Sequence, residues 1–89
     1  MTAMDVSFSD KAFAEYVQWQ GEDKKTLAKI NQLIQSIKRE GMMNGIGHPE
    51  FLKHEKSYSR KINEKDRLVY DGQDGVSLRI ISCKGHYDD

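Results

Sequence analysis

The C-terminal half of the chain concentrates side chains that could act as acids, bases and phosphate ligands. Its carboxylate, imidazole, guanidinium and ammonium groups include Glu50, Lys53, His54, Arg60, Lys61, Arg67, Arg79, Lys84 and His86. Such a set is sufficient for metal-free cleavage of RNA. A base must take the 2′-hydroxyl proton, an acid must protonate the departing 5′-oxygen, and cations must stabilise the phosphorane-like transition state. Histidine suits the acid role because its pKa of about 6.5 is near working pH, and the planar fork of arginine can hold a phosphate through two hydrogen bonds.

The chain ends in "RIISCKGHYDD", which places His86 and Tyr87 beside the terminus. Terminal residues are usually the least ordered part of a domain, and a histidine there would ordinarily be exposed and without a role. A tyrosine could stack on a base of single-stranded RNA. Taken alone, these residues are weak support for an enzyme, because most small domains contain a glutamate, a histidine and several arginines.

Length and composition exclude several classes of protein. The chain has 89 residues, which predicts one domain spanning residues 1–89. Lys plus Arg and Asp plus Glu both number 14, so a protein that coats nucleic acid by bulk charge is not expected. Mean hydropathy is −0.77, and no apolar run approaches the roughly 20 residues of a membrane span. Because Cys83 is the single cysteine and no signal peptide is evident, we expect a cytoplasmic protein.

The N-terminal half predicts a strand followed by two helices. "MDVSFS" alternates with Met4, Val6 and Phe8 on one side, as in a strand. Ser9 is a good N-cap for a helix from Asp10 to about Gln20, which Gly21 would break. The apolar positions of this helix are Phe13, Tyr16 and Val17, and Trp19 near its end is expected to pack rather than to stack on RNA.

A second helix is predicted from Glu22 and Asp23 to Gly41. Lys38 and Arg39 suit its C-terminal end, and Gly41 suits its stop. One apolar stripe at helical spacing contains Leu27, Ile30, Leu33, Ile34 and Ile37.

After the loop "GMMNGIGHPE" the apolar period changes to two. "FLKH", "SYSRKIN", "DRLVYDG" and "VSLRIISC" read as strands, with a hairpin turn at residues 71–75. The last strand has apolar residues on both faces, so it should lie inside the sheet. The sequence therefore predicts an α+β fold of order β-α-α-β-β-β(-β), in which a helical hairpin covers one face of a mostly antiparallel sheet. The other face is left for the polar residues.

Several ordered segments resemble one known family. "YVQWQGEDKKTLAKINQLI", "GHPEFLKH", "YSRKINEKDRLVY" and "ISCKGHY" are similar to the YoeB/Txe family of bacterial toxins, in the RelE superfamily, from about Phe8 to Tyr87. The resemblance implies a RelE-like fold related to microbial ribonucleases. It also implies a ribosome-dependent mRNA endonuclease that acts in the ribosomal A site without metal or cofactor, giving a 2′,3′-cyclic phosphate and a 5′-hydroxyl.

The resemblance also implies roles for individual residues. The glutamate of "PEFLKH" is Glu50, the expected general base, and the arginine of "RLVY" is Arg67, expected to stabilise the scissile phosphate. The terminal pair gives His86 as general acid and Tyr87 as a residue that orients the substrate. Supporting phosphate contacts are expected from Lys53, Arg60 and Lys61. A metal site is not expected, because the chain has no C-x-x-C and no H-x-x-x-H pair.

The partners implied are a YefM/Phd-type antitoxin, the ribosome and mRNA, with operator DNA bound only through the antitoxin complex; homodimerisation is left open.

Two departures from the family pattern keep other functions open. Lys61 stands where the family has an arginine, and Asp88 and Asp89 follow Tyr87. One alternative is a non-enzymatic binding protein on the same scaffold, like the gyrase-inhibiting toxins. Another is a degenerate toxin that acts only in antitoxin binding and operon repression.

Overall fold

Two helices pack against one face of a mixed sheet in the computed structural model, which describes residues 4–72 and 77–85. In chain order the elements are β1 (Asp5–Phe8), α1 (Asp10–Glu22), α2 (Lys24–Glu40), β2 (Glu50–Leu52), β3 (Ser57–Lys61), β4 (Arg67–Gly72) and β5 (Ser77–Ser82). The sheet order is β1-β5-β4-β3-β2. Only the β1–β5 pair is parallel among these strands, so the predicted α+β architecture with a mostly antiparallel sheet is confirmed.

The helical hairpin is held by three capping residues. Ser9 accepts a hydrogen bond from the Ala12 amide at 3.0 Å, as predicted for an N-cap. The sharp reversal between the helices occurs at Asp23, whose amide donates to the Trp19 carbonyl while its carboxylate accepts from the first turn of α2. These hydrogen bonds, led by the one from the Thr26 hydroxyl, hold the pKa of Asp23 below its usual value. Gly41 ends α2 with φ of 98°.

Helix α1 departs from the prediction in its length and in the face that it buries. It continues through Gly21 to Glu22, because one helical glycine costs only about 1 kcal/mol and the turn at Asp23 is the stronger stop. The predicted apolar stripe is wrong for Phe13 and Val17, which are 58% and 47% exposed, whereas Tyr16 is half-buried and packs against the core as predicted.

The two buried residues of α1 are Ala12, which was not predicted, and Trp19, which was expected to pack. Trp19 donates its indole N–H to the Cys83 carbonyl at 2.9 Å. The small Ala12 lets the chain after β5 come close, and its carbonyl lies 3.6 Å from the Cys83 thiol. The orientation of this helix thus involves the polar contact of Trp19 and the small size of Ala12, and neither can be predicted from hydrophobic periodicity.

The core lies between the helices and one face of the sheet. The predicted stripe of α2 is buried, with Leu27 only half-buried at its edge. It packs against Leu68 and Tyr70 of β4 and Leu78 and Ile80 of β5. Strand β5 lies between β1 and β4, which confirms its predicted place inside the sheet. None of the helices in the described ranges is long and apolar enough to cross a membrane.

Candidate active site on the open face of the sheet

The strand register brings three of the predicted site residues to the face of the sheet that the helices leave open. Glu50 of β2 is opposite Ser59 of β3, and Ser59 is opposite Val69 of β4. Lys61 and Arg67 are opposite each other one step further along β3 and β4. Because opposed residues in an antiparallel pair point to the same side, all five share one face. Glu50 and Arg67 stand two strands apart, roughly 10 Å across the sheet, so a phosphodiester can lie between their side chains.

Small, buried side chains form the floor of this open face. Ser59 is 4% exposed, Val69 2% and Ser82 of β5 6%. Glu50 is exposed, whereas Lys61 and Arg67 are half-buried at the rim. The longer, charged side chains therefore stand above a floor of short ones, an arrangement that leaves room for a substrate to contact all three.

The guanidinium of Arg67 is oriented by the loop that precedes its strand. Its Nη1 donates to the Asn63 carbonyl at 2.9 Å and to the Asp66 carbonyl at 3.2 Å. Neither Nε nor Nη2 makes a hydrogen bond within residues 4–72 and 77–85. The loop is itself fixed, since Asn63 Oδ1 accepts from the amides of Lys65 and Asp66, both at 2.8 Å. One edge of the fork is thus held by protein, and the other can form two hydrogen bonds to a phosphate.

Lys61 is paired with a neighbour. Its ammonium lies 3.0 Å from the Glu64 carboxylate, with side chains that are 41% and 83% exposed. The hydrogen bond and charge of Lys61 lower the pKa of Glu64. An exposed pair of this kind is weak, so Lys61 can exchange the carboxylate for a phosphate.

The chain after β5 is anchored beside Arg67. The Gly85 amide donates to Asp66 Oδ1 at 2.8 Å, and the Arg67 amide donates to the Gly85 carbonyl at 2.9 Å. His86 and Tyr87, the predicted general acid and orienting residue, lie outside the described residues, as do Asp88 and Asp89. What the structure defines is therefore the attachment point of His86, immediately next to the predicted phosphate ligand.

Helix α1 holds the same segment from the other side. Besides the Trp19 contact, Glu15 accepts from the Cys83 amide at 2.8 Å, and Lys84 lies 3.0 Å from Glu22 and 4.8 Å from the centre of the Trp19 ring. Cys83 is fully buried. Burial, with smaller contributions from the nearby carboxylates, raises the pKa of its thiol to about 12. The thiol is thus protonated at neutral pH and unsuited to nucleophilic chemistry.

Arg60 is a correction to the predicted site. It points to the opposite face, toward the helices, and is 0% exposed. Its Nε donates to the Tyr70 hydroxyl at 2.9 Å, and its two terminal nitrogens donate to Ser36 Oγ and to the backbone of the loop after α2. The carbonyl acceptors are those of Gly41, Met42, Asn44 and Ile46. With all of its donors engaged, Arg60 organises this loop and is not available to a substrate.

A signal for this placement was present in the sequence. Along a strand, residues two apart share a face, and the neighbours of Arg60 at that spacing are Tyr58 and Ile62, both apolar. Period-two alternation thus predicts Arg60 on the buried face and Lys61 on the open one.

The remaining predicted contact, Lys53, is exposed in the turn 53–56 that joins β2 to β3, three residues after Glu50. Asp66 was missed by the sequence analysis, although it anchors the segment before His86. The available signal was an acidic residue directly before the predicted phosphate ligand, at the end of the polar turn "NEKD".

Known proteins resemble the chain over nearly its full length. A model of the "YoeB-like toxin of bacterial type II toxin-antitoxin system" matches residues 8–87. Toxin YoeB of Synechocystis sp. is 44% identical over 86 residues, which is 94% of this chain and 98% of that protein. The structure of the YoeB dimer from Staphylococcus aureus has a TM-score of 0.88 at 45% identity, covering 97% of this chain and 100% of that one. The YoeB–YefM complex from the same organism gives 0.86 at 44% identity, with the same coverage.

The region matched by the family model includes both helices, strands β2 to β5 and the open face, and these define a toxin of the type II toxin–antitoxin class. The chain belongs to the YoeB toxin family.

Proposed function

We propose that the protein is a ribosome-dependent endoribonuclease that cleaves mRNA in the ribosomal A site. In this proposal the Glu50 carboxylate takes the proton of the 2′-hydroxyl, and the 2′-oxygen attacks the adjacent phosphorus. The bond from phosphorus to the 5′-oxygen breaks, and His86 donates a proton to that oxygen. The products are a 2′,3′-cyclic phosphate and a 5′-hydroxyl, and Tyr87 orients the substrate.

The observation that carries the proposal is the arrangement around Arg67. Glu50 shares the open face with Arg67, while Gly85, the residue before His86, is hydrogen-bonded to the Arg67 backbone. A base and the attachment point of an acid therefore lie on either side of an oriented guanidinium. In-line cleavage of RNA requires this order, because the proton is removed at one end of the scissile phosphate and delivered at the other.

Charge stabilisation falls to Arg67, Lys61 and Lys53. The available edge of the Arg67 fork can bind two phosphate oxygens, and Lys61 lies opposite it on β3. Arg60 takes no part, because its guanidinium is buried and all of its donors are hydrogen-bonded within the fold. The catalytic face is thus less cationic than the sequence suggested, and with a formal net charge of zero the chain should bind free RNA weakly. We attribute the remaining substrate affinity to the ribosome.

The partner proposed is a YefM-type antitoxin. The YoeB of the Staphylococcus aureus YoeB–YefM complex shares 44% of its sequence and the fold of this chain, which supports a similar complex here. The YoeB dimer from the same organism supports a homodimer. Binding to operator DNA would then occur through the antitoxin complex.

The test is primer extension on post-initiation ribosome complexes that carry a defined mRNA. The wild type should cleave in the A-site codon, and Glu50→Gln and His86→Ala should each lower the rate by at least about 100-fold, as expected on loss of general base or acid. Glu55→Gln is the matched control, because Glu55 is an exposed carboxylate in the turn after β2. Cleavage by both active-site variants at the control rate would refute the assigned roles. Absence of cleavage by the folded wild type would refute the nuclease.

A further inference from the structure

A basic cavity adjoins the candidate site on the side of α2. Its volume is about 440 Å³, and it is open to solvent between α2, the loop that precedes β2 and the turn that follows β3. Its lining comprises Lys29, Gly47, His48, Lys61, Ile62, Asn63 and Glu64. Three of these seven residues carry basic side chains and one is acidic.

The charges in the cavity are not balanced. The single carboxylate, Glu64, is already paired with Lys61. Lys29 is half-buried, and neither it nor His48 has an ion-pair or hydrogen-bonding partner in the part of the chain that the structure describes. The Asn63 side chain uses its oxygen within the turn, which leaves its amide nitrogen as a further donor. The cavity therefore presents cationic and neutral donors without acceptors of their own.

The walls of the cavity are fixed by close packing. The Gly47 carbonyl accepts from the Lys61 amide at 2.6 Å, which ties the loop to the end of β3. Gly47 has φ of 89°, and a Cβ atom there would lie 2.6 Å from Leu33 Cδ2 of α2. The backbone thus approaches the helix as closely as a glycine permits, so the loop that forms one wall of the cavity is fixed against α2.

We propose that this cavity binds a second backbone phosphate of RNA, beyond the one held by Arg67. The inference rests on the proposed function, because Lys61 belongs both to the cavity and to the open face, where it is opposite Arg67. A strand that crosses the open face therefore reaches the cavity at its rim. The lining favours a phosphate over a base, since it offers charge and hydrogen-bond donors but only one ring, that of His48.

Binding of a non-cleavable RNA tests the proposal. A short 2′-O-methyl oligonucleotide lacks the attacking hydroxyl, so its affinity can be measured by fluorescence anisotropy over a range of salt concentrations. We expect Lys29→Gln to weaken binding 3- to 10-fold at low salt and to reduce the slope of log K against log salt by about 0.7, the value for one phosphate contact to a single strand. Lys24→Gln is the matched control, because Lys24 is an exposed lysine of the same helix that does not line the cavity.

A second variant should have the opposite effect. Glu64→Gln removes the carboxylate that competes for Lys61, so it should tighten binding. A role of the cavity in stability alone would not give opposite changes in RNA affinity for the two substitutions.

The phosphate can come from the mRNA or from ribosomal RNA, and a second arm with vacant ribosomes separates the two. If the phosphate belongs to the mRNA, Lys29→Gln should weaken oligonucleotide binding. If it belongs to ribosomal RNA, Lys29→Gln should leave oligonucleotide binding unchanged and weaken binding to the ribosome. Affinities equal to those of Lys24→Gln in both arms would overturn the proposal. These measurements require no cleavage, so the RNA-binding result can be interpreted even if the nuclease assay fails.

Discussion

Truncation of Arg60 should destabilise the fold more than any other loss of a single charge on β3. The guanidinium is fully buried, and no carboxylate among the described residues forms an ion pair with it. Its charge is compensated by the dipoles of hydroxyl and carbonyl groups and by the Tyr70 ring, whose centre is 5.7 Å from the guanidinium carbon. Glu40 interacts with Arg60 indirectly, through Ser36. The Ser36 hydroxyl donates to the Glu40 carboxylate at 3.1 Å and accepts from Arg60 at 3.2 Å.

The magnitude follows from the three shortest backbone contacts. Arg60 donates to the carbonyls of Asn44, Gly41 and Ile46 at 2.6, 2.8 and 2.8 Å. Hydrogen bonds to charged groups contribute about 1.5 kcal/mol each at the low end, and the loop can partly rehydrate. Arg60→Ala should therefore cost about 4 kcal/mol, mainly through the loss of these three hydrogen bonds. Arg60→Lys keeps the charge but loses the fork, so it should cost about half as much.

Urea denaturation followed by circular dichroism measures these costs, at fixed protein concentration because a dimer would add concentration dependence. Arg39→Ala is the control, since that side chain is 70% exposed and its loss should change stability by less than about 0.5 kcal/mol. If Arg60→Ala fails to fold, Arg60→Lys replaces it in the urea titration. In Arg60→Lys, proteolysis in the loop 41–47 should also be faster than in the wild type. A cost below about 1 kcal/mol for Arg60→Ala would refute the assigned structural role.

Three further predictions concern the packing around the site. Above pH 9 the Cys83 thiol ionises in the unfolded state, whereas in the folded state it stays protonated until about pH 12. The free energy of unfolding should therefore fall by up to about 1.4 kcal/mol per pH unit in this range. In urea titrations at several pH values, Cys83→Ala should show a smaller fall. Asp66→Ala should accelerate hydrogen exchange of the Gly85 amide and slow cleavage, whereas the exposed neighbour Lys65→Ala should do neither. Gly47→Ala should destabilise by about 1–3 kcal/mol in urea titrations, because its Cβ would meet Leu33.

The element order could be predicted because each element carries a local signal. The caps at Ser9 and Gly41 act on the nearest turn of the helix, and the stripe of α2 repeats with the helical period. The change to period two after the glycine-rich loop marks the strands. The placement of β5 inside the sheet was predicted from apolar residues on both of its faces, a pattern typical of interior strands.

The side-chain environment of Arg60 and the orientation of α1 depend on partners distant in sequence. Family motifs identify Arg60 without saying which way it points, and its acceptors come from α2, the following loop and β4. In α1 the larger apolar residues, Phe13 and Val17, are exposed, while Ala12 faces the core. A hydrophobic count favours the former pair, because it cannot register that a small residue allows the chain after β5 to approach.

The segment before His86 is the clearest case of a proposed function that depends on distant packing. A histidine three residues after the last core position, Cys83, would ordinarily have no fixed surroundings. Here the segment that leads to it is held on one side by Glu15, Trp19 and Glu22 of α1 and on the other by Asp66. The general-acid role proposed for His86 therefore depends on the residues before it, which are fixed by two elements remote in sequence. By this reasoning, loss of Trp19 should impair cleavage even though Trp19 lies on the face of the sheet opposite Glu50.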